Sequence, residues 1–162
     1  MQIAGRTKRC SRTVVSLVAL LALALGSAPA LWADEKAEKS LYDRLGGVPA
    51  IAAVVDDFVN RLLEDPVITA NPRTVEAMKH TTVPGLKFQL TALVCQVADG
   101  PQKYTGRSMK AAHEYMGITE REWDAMAADF KMTLDRFKVP SREQQELFAA
   151  IGMTKKDIVT KP

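Results

Sequence analysis

From Ile51 onward apolar residues return every three or four positions. Ile51, Val54, Val55, Phe58 and Leu62 share one side of a helix, and Asp56, Asp57, Asn60 and Arg61 take the other, until Pro66 stops it. Before it, Ser40 caps a short turn that Gly46 and Gly47 close, and Pro49 enters the first turn of the helix itself. Asn71 and Pro72 offer a cap and a first-turn proline for a brief helix to about Lys79, which Pro84 and Gly85 interrupt. Leu86, Leu90, Leu93, Val94 and Val97 form the next stripe, closed by Asp99, Gly100 and Pro101. Lys103 to Gly106 reads as a loop. Met109, Ala112, His113 and Met116 then share one face of a short helix that Gly117 ends. Thr119 with Glu122 is a capping box for a long helix carrying Trp123, Met126, Phe130, Leu134 and Phe137, and Ser141 with Gln144 repeats the signal before Leu147, Phe148 and Ile151. The pattern is helical throughout, without internal repeat or low-complexity tract, and predicts one all-α domain.

Residues 1–33 fall outside that pattern. Arg6, Lys8, Arg9 and Arg12 precede an apolar stretch from Val14 to Leu25, broken only by Ser16, and small residues follow at Gly26, Ser27, Ala28 and Ala30. This is the layout of a secretory signal peptide, cleaved after Ala30 or after Ala33; the second leaves a polar start at Asp34. The expectation is a signal peptide over 1–33, a domain over 34–162 and a periplasmic or secreted location, with attachment to a membrane only through an uncleaved leader. The leader holds four of the 22 basic residues and none of the 19 acidic ones, leaving 18 against 19 and a net charge of −1. The basicity of the whole chain is therefore no argument for nucleic-acid binding. Cys95 is the only cysteine beyond the leader, so no internal disulfide can form there, and its apolar neighbours suit a small buried side chain.

His113 is one of two histidines in the chain. It shares its helix face with Met109 and Met116, and Lys103, Arg107 and Lys110 surround it with cations. A single imidazole among soft apolar side chains is what a haem iron takes as fixed axial ligand, and cations beside it suit the haem propionates. The bland alternative is a core histidine with one satisfied hydrogen bond on an ordinary solvated helix. A zinc site needs ligands that two histidines and one cysteine do not supply. The acidic pairs Asp56 with Asp57 and Glu120 with Glu122 sit on solvated faces, and Gly46 with Gly47 lacks the lysine and spacing of a phosphate loop.

These residues bring a resemblance into view. The chain resembles the group I truncated haemoglobins from SLYDRLGG at Ser40 to Gly152, through DDFVNRLLEDP at Asp56 to Pro66, CQVADGPQKYTGRSMKAAH at Cys95 to His113, and GITEREWD at Gly117 to Asp124. The resemblance implies a shortened globin of two antiparallel helix pairs, a two-over-two sandwich, around b-type haem. It implies His113 as the proximal iron ligand, Met109 and Lys110 at the haem face and propionate edge, Tyr104 in the loop before them, and Phe58 against the porphyrin from the distal side.

The departures bear on activity. The residue after Phe58, where such proteins usually carry a tyrosine that donates to bound dioxygen, is Val59, and VITANPR from Val67 to Arg73 lacks their usual paired phenylalanines. The register puts Thr82 and Leu86 where distal glutamines often stand, although an insertion of about one turn before Tyr104 would let Gln89 or His80 enter instead. A wall of Val59, Leu86 and Phe88 is apolar. The expected function is reversible binding of a diatomic gas (oxygen, nitric oxide or carbon monoxide), covering oxygen transport or nitric oxide handling, by a monomer. The alternatives are a haem-dependent redox enzyme (nitric oxide dioxygenase or weak peroxidase), which needs an electron donor the sequence does not identify, and a bis-histidyl electron carrier using His80.

Overall fold

The computed structural model describes residues 38–161, so the proposed leader lies outside the described residues. The elements run α1 (Leu41–Arg44), α2 (Gly47–Glu64), α3 (Pro66–Thr69), α4 (Pro72–Lys79), α5 (Val83–Val97), α6 (Met109–His113), β1 (Ile118–Thr119), α7 (Glu120–Arg136), α8 (Ser141–Gly152), α9 (Lys155–Ile158) and β2 (Val159–Lys161). The predicted all-α architecture is present, with one addition: β1 and β2 form a two-stranded parallel pair that no alternation in the sequence announces.

Helix α2 is the central element, packed against α5 on one side and α7 on another. Its face toward α5 buries Ile51, Val55 and Val59 with Cys95. Its other flank joins Leu41, Phe130, Leu134 and Leu147, with Phe58 edge-on to Phe130 at 5.1 Å and Phe130 edge-on to Phe148 at 5.4 Å, which locks α2, α7 and α8 together. Across the same interface Asp57 accepts from Arg61 Nε at 2.8 Å, from Thr133 Oγ1 at 3.0 Å and from Arg136. Burial pushes the Asp57 pKa up, but those bonds and charges outweigh it and hold the carboxyl below its ordinary value.

Two of the predicted helix starts move. Pro84 and Gly85 begin α5 instead of interrupting it: Thr82 Oγ1 caps Gly85 N–H at 3.2 Å, and a first-turn proline lacks only an N–H that would have no helical partner anyway. The second capping box does not form. Pro140 occupies the cap position, and the Gln144 amide donates to Val139 O at 2.8 Å and Asp135 Oδ1 at 3.1 Å. The Thr119 and Glu122 box at the start of α7 is complete, as the spacing predicts.

Candidate functional site

Helix α6 is five residues long and begins where Ser108 Oγ accepts from Ala111 N–H at 3.2 Å. The helix ends at His113 and not at Gly117 as expected, so Met116 lies in a separate turn, which Gly117 leaves at φ +63, a conformation that side chains with a Cβ rarely adopt. His113, at the end of α6, is half-buried with Met109, Ala112 and Met116. Its Nδ1 stands 2.8 Å from the carbonyl oxygen of Met109, and since a carbonyl only accepts, Nδ1 carries the proton and donates. The other nitrogen, Nε2, keeps its lone pair and has no hydrogen-bond partner among the described residues. Burial lowers the His113 pKa, the Met109 carbonyl works against that shift, and the Arg107 charge adds to it. The ring is therefore a neutral base at neutral pH, its tautomer and tilt set by the backbone, as in histidines that bind metals.

Cations ring this helix. Lys103, Arg107 and Lys110 are exposed, and none has an ion-pair partner among the described residues. The loop that carries them is held by Tyr104, whose N–H donates to Gln96 Oε1 at 2.9 Å and whose hydroxyl donates to Arg107 O at 2.6 Å.

The opposite wall comes from α5. Lys87 reaches Asp56 and Asn60 on α2, and Cys95 packs on Val59, so that side of α5 is turned to α2. Leu86, Leu90 and Val94 also pack on the α2 cluster, and helical spacing places Gln89, Leu93 and Gln96 on the flank turned away from it. Gln96 holds the loop to α6, so this face borders the segment that ends in His113. Gln89 Oε1 is buried there without a partner.

Of the distal residues read from the sequence, Leu86 is half-buried against the α2 cluster, and Val59 has 0 % of its surface exposed and is enclosed by Val55, Cys95 and their neighbours. Phe58 stands against Phe130 inside the core. Phe88 is 69 % exposed, which corrects its expected place in the wall: it shares the stripe of Cys95 but stands two turns earlier in α5, where neither core cluster reaches it. His80 is likewise outward, 77 % exposed beside Glu76 Oε1 at 3.5 Å. Sequence reasoning missed how the turn after α6 is anchored. Asn71, read only as a helix cap, also donates from Nδ2 to Met116 O at 3.1 Å, and Arg73 donates to Tyr115 O at 3.3 Å. No local signal could show this, because the partners are more than forty residues apart.

The donor set decides which groups could bind. Among the described residues no three His, Cys, Asp or Glu side chains converge on a metal site, so a metal at His113 needs a carrier that brings its remaining ligands. A metallated macrocycle does so. An apolar cavity of about 40 Å³ among Ile51, Val54, Val94, Phe130 and Leu134 is too small for such a ring. The face of α6, with one ligating nitrogen, soft neighbours and unpaired cations at the rim, has the chemistry to hold one.

A family model for bacterial-like globins matches residues 40–160. The chain is 32% identical over 121 residues to the group 1 truncated hemoglobin GlbN of Mycolicibacterium paratuberculosis, covering 75% of this chain and 85% of that one. It is 31% identical over 117 residues to GlbN of Synechocystis, covering 70% and 90%. Among solved structures, the Fe(III) form of the truncated hemoglobin of Tetrahymena pyriformis superposes with a TM-score of 0.67 at 27% identity, over 76% of this chain and all of that one. The cyanomet 2/2 hemoglobin of Synechococcus, with covalently attached heme, gives 0.65 at 26% identity over the same shares.

Proposed function

The chain belongs to the bacterial-like globin family, among the group I truncated haemoglobins, and on that premise we propose that His113 Nε2 would hold the iron of a b-type haem, which would supply the site for a diatomic gas. The observation that supports this most is the Nδ1 bond from His113 to Met109 O, which leaves a neutral, oriented and unpartnered Nε2. Bound haem supplies an iron with one exchangeable coordination position. The chain supplies the rest. His113 holds the metal, Met109 and Met116 provide soft contact beside it, and Lys103, Arg107 and Lys110 offer charge to the carboxylates of the ring edge. Tyr104 ties Arg107 into the loop, so that cation is the best placed of the three.

On the gas side the residues favour ligands that need little donated hydrogen bonding. Val59 cannot donate, and it is fully buried among Ile51, Val55 and Cys95. A missing hydrogen bond to a charge-bearing ligand atom removes about 1.5 to 3 kcal/mol, a ten- to hundredfold weakening for dioxygen. Carbon monoxide and nitric oxide depend less on such a bond. Gln89, whose buried Oε1 has no partner and which shares an α5 flank with Gln96, is the polar group that would partly offset the loss. We read the protein as a gas binder more than an oxygenase or peroxidase. The outward His80 weighs against a bis-histidyl iron.

We further propose that residues 1–33 are removed on export and that the globin acts in the periplasm or outside the cell. N-terminal sequencing of the protein recovered from that compartment, expected to begin at Asp34 or Leu31, tests this. For the haem reading the test is the absorption spectrum of the purified chain, reduced and then exposed to carbon monoxide. A Soret band that shifts on carbon monoxide is expected, and its absence after haem is added would refute the assignment.

A further inference from the structure

A five-residue helix cannot hold itself in place, since the first turn alone fixes several dihedrals for a single hydrogen bond. Neither core cluster contains a residue of α6. Something else must support it.

The structure shows what does. The extensive packing of α6 is with α9, near the C-terminus of the chain. Directly after α9 the chain becomes β2, which pairs with β1 in the register Ile118 with Val159 and Thr119 with Lys161. β1 follows α6 by only a few residues, so the same tail grips both the helix and its exit. Lys155, at the start of α9, is fastened to α7: its Nζ lies 2.5 Å from Glu120 Oε2 and 5.8 Å above the Trp123 ring. At the other end, the Lys161 side chain covers Gly117, its Cε 3.1 Å from where a Cβ would stand, with Arg73 close on the other side at 3.5 Å. Positive charge from Lys161 also helps hold the Glu122 carboxyl below its ordinary pKa, alongside the Thr119 and Asn71 bonds that outweigh its burial.

We propose that α9 and β2 are a strap that positions the proximal helix, and that through it they set the orientation of the His113 ring and the strength with which it holds iron. The proposal rests on the reading of His113 as the iron ligand. The strap acts through α6 and touches no ligand-binding position; residues 155–161 are positioning residues.

The test compares the full chain with one ending at Thr154. Amide exchange in the haem-free proteins reads the mechanical part without any cofactor. The α6 and β1 amides are expected to exchange at least tenfold faster in the shortened chain, with α2 and α5 unchanged. In the haem-loaded proteins the iron–histidine stretching band of the ferrous form should broaden and fall in frequency, and transfer of haem to an acceptor apoprotein should quicken about tenfold. Should the shortened chain not fold, Lys155→Ala with Lys161→Ala in the full chain takes its place. An Ile118→Cys, Val159→Cys pair, oxidised, should move every readout the other way. Unchanged α6 exchange, or faster exchange with an unshifted stretching band, overturns the proposal. A full-length chain without a Soret band overturns the haem reading instead, and leaves the exchange comparison standing.

Discussion

Gln89→Leu separates the two roles a buried amide can have. Its Oε1 is buried and has no partner, and leaving such a group unsatisfied costs about 1 to 3 kcal/mol. Gln89 is only half-buried, so the lower end applies, and replacing it by leucine should stabilise the haem-free protein by about 1 kcal/mol. If the same amide donates to gas bound at the iron, leucine removes a hydrogen bond to the charge-bearing ligand atom, about 1.5 to 3 kcal/mol, or roughly a ten- to hundredfold faster release of dioxygen. Carbon monoxide release should barely change, so the ratio of the two affinities falls. Urea unfolding of the haem-free chain gives the first number, and stopped-flow displacement of dioxygen by carbon monoxide gives the second. Lower stability together with unchanged dioxygen release would refute the reasoning, since the amide would then be a satisfied structural group turned away from the iron.

Other outcomes follow from the same structure. His113→Gly should abolish stable haem binding, and added imidazole should restore a Soret band, because the ring is held by a backbone carbonyl and no side chain depends on it. Asp57→Ala should cost about 2 to 3 kcal/mol, largely because it orphans the fully buried Thr133 hydroxyl, while Arg61 and Arg136 regain water. In a Thr133→Val background the cost should shrink by about 1 kcal/mol, and strict additivity in the double-mutant cycle would contradict this. Asp129 is 5 % exposed with Oδ2 unpartnered, and burial followed by the Asp65 charge raises its pKa. A raised native pKa gives stability that is full below the ordinary carboxylate range and is lost as pH rises through the native value. Asp129→Asn should therefore stabilise at pH 7 by about 1 kcal/mol and gain nothing near pH 4, as urea midpoints at the two values would show. Asp57 has the opposite sign: its contribution is present above the ordinary range and fades as pH falls through its lowered native value.

Much of the site was legible in the chain because its signals are local. His113 with Met109 on one face and the capping box at Thr119 depend on spacings of a few residues, and both appear where periodicity put them, although α6 ends at His113 and leaves Met116 in the turn before Gly117. The family resemblance drew on the same short blocks. The distal wall was less legible. Stripes along α5 show that the helix is amphipathic, but which flank meets α2 is decided by Lys87 reaching Asp56 and Asn60 and by Cys95 against Val59, and how far the core extends along that stripe leaves Phe88 exposed although it stands one heptad before Cys95.

The sequence by itself determined a helical chain with His113 as the candidate iron ligand and His80 as the alternative second one, because helix spacing, caps and breakers act within a turn or two. Only the tertiary structure decided what holds that ligand. The Asn71 and Arg73 bonds to the turn after α6, the α9 packing and the β1 with β2 pairing join segments forty or so residues apart, and each exists only once the core of α2, α7 and α8 has brought those segments together. Pairings of that range leave no period in a sequence, since the energy that selects them is contributed by packing elsewhere.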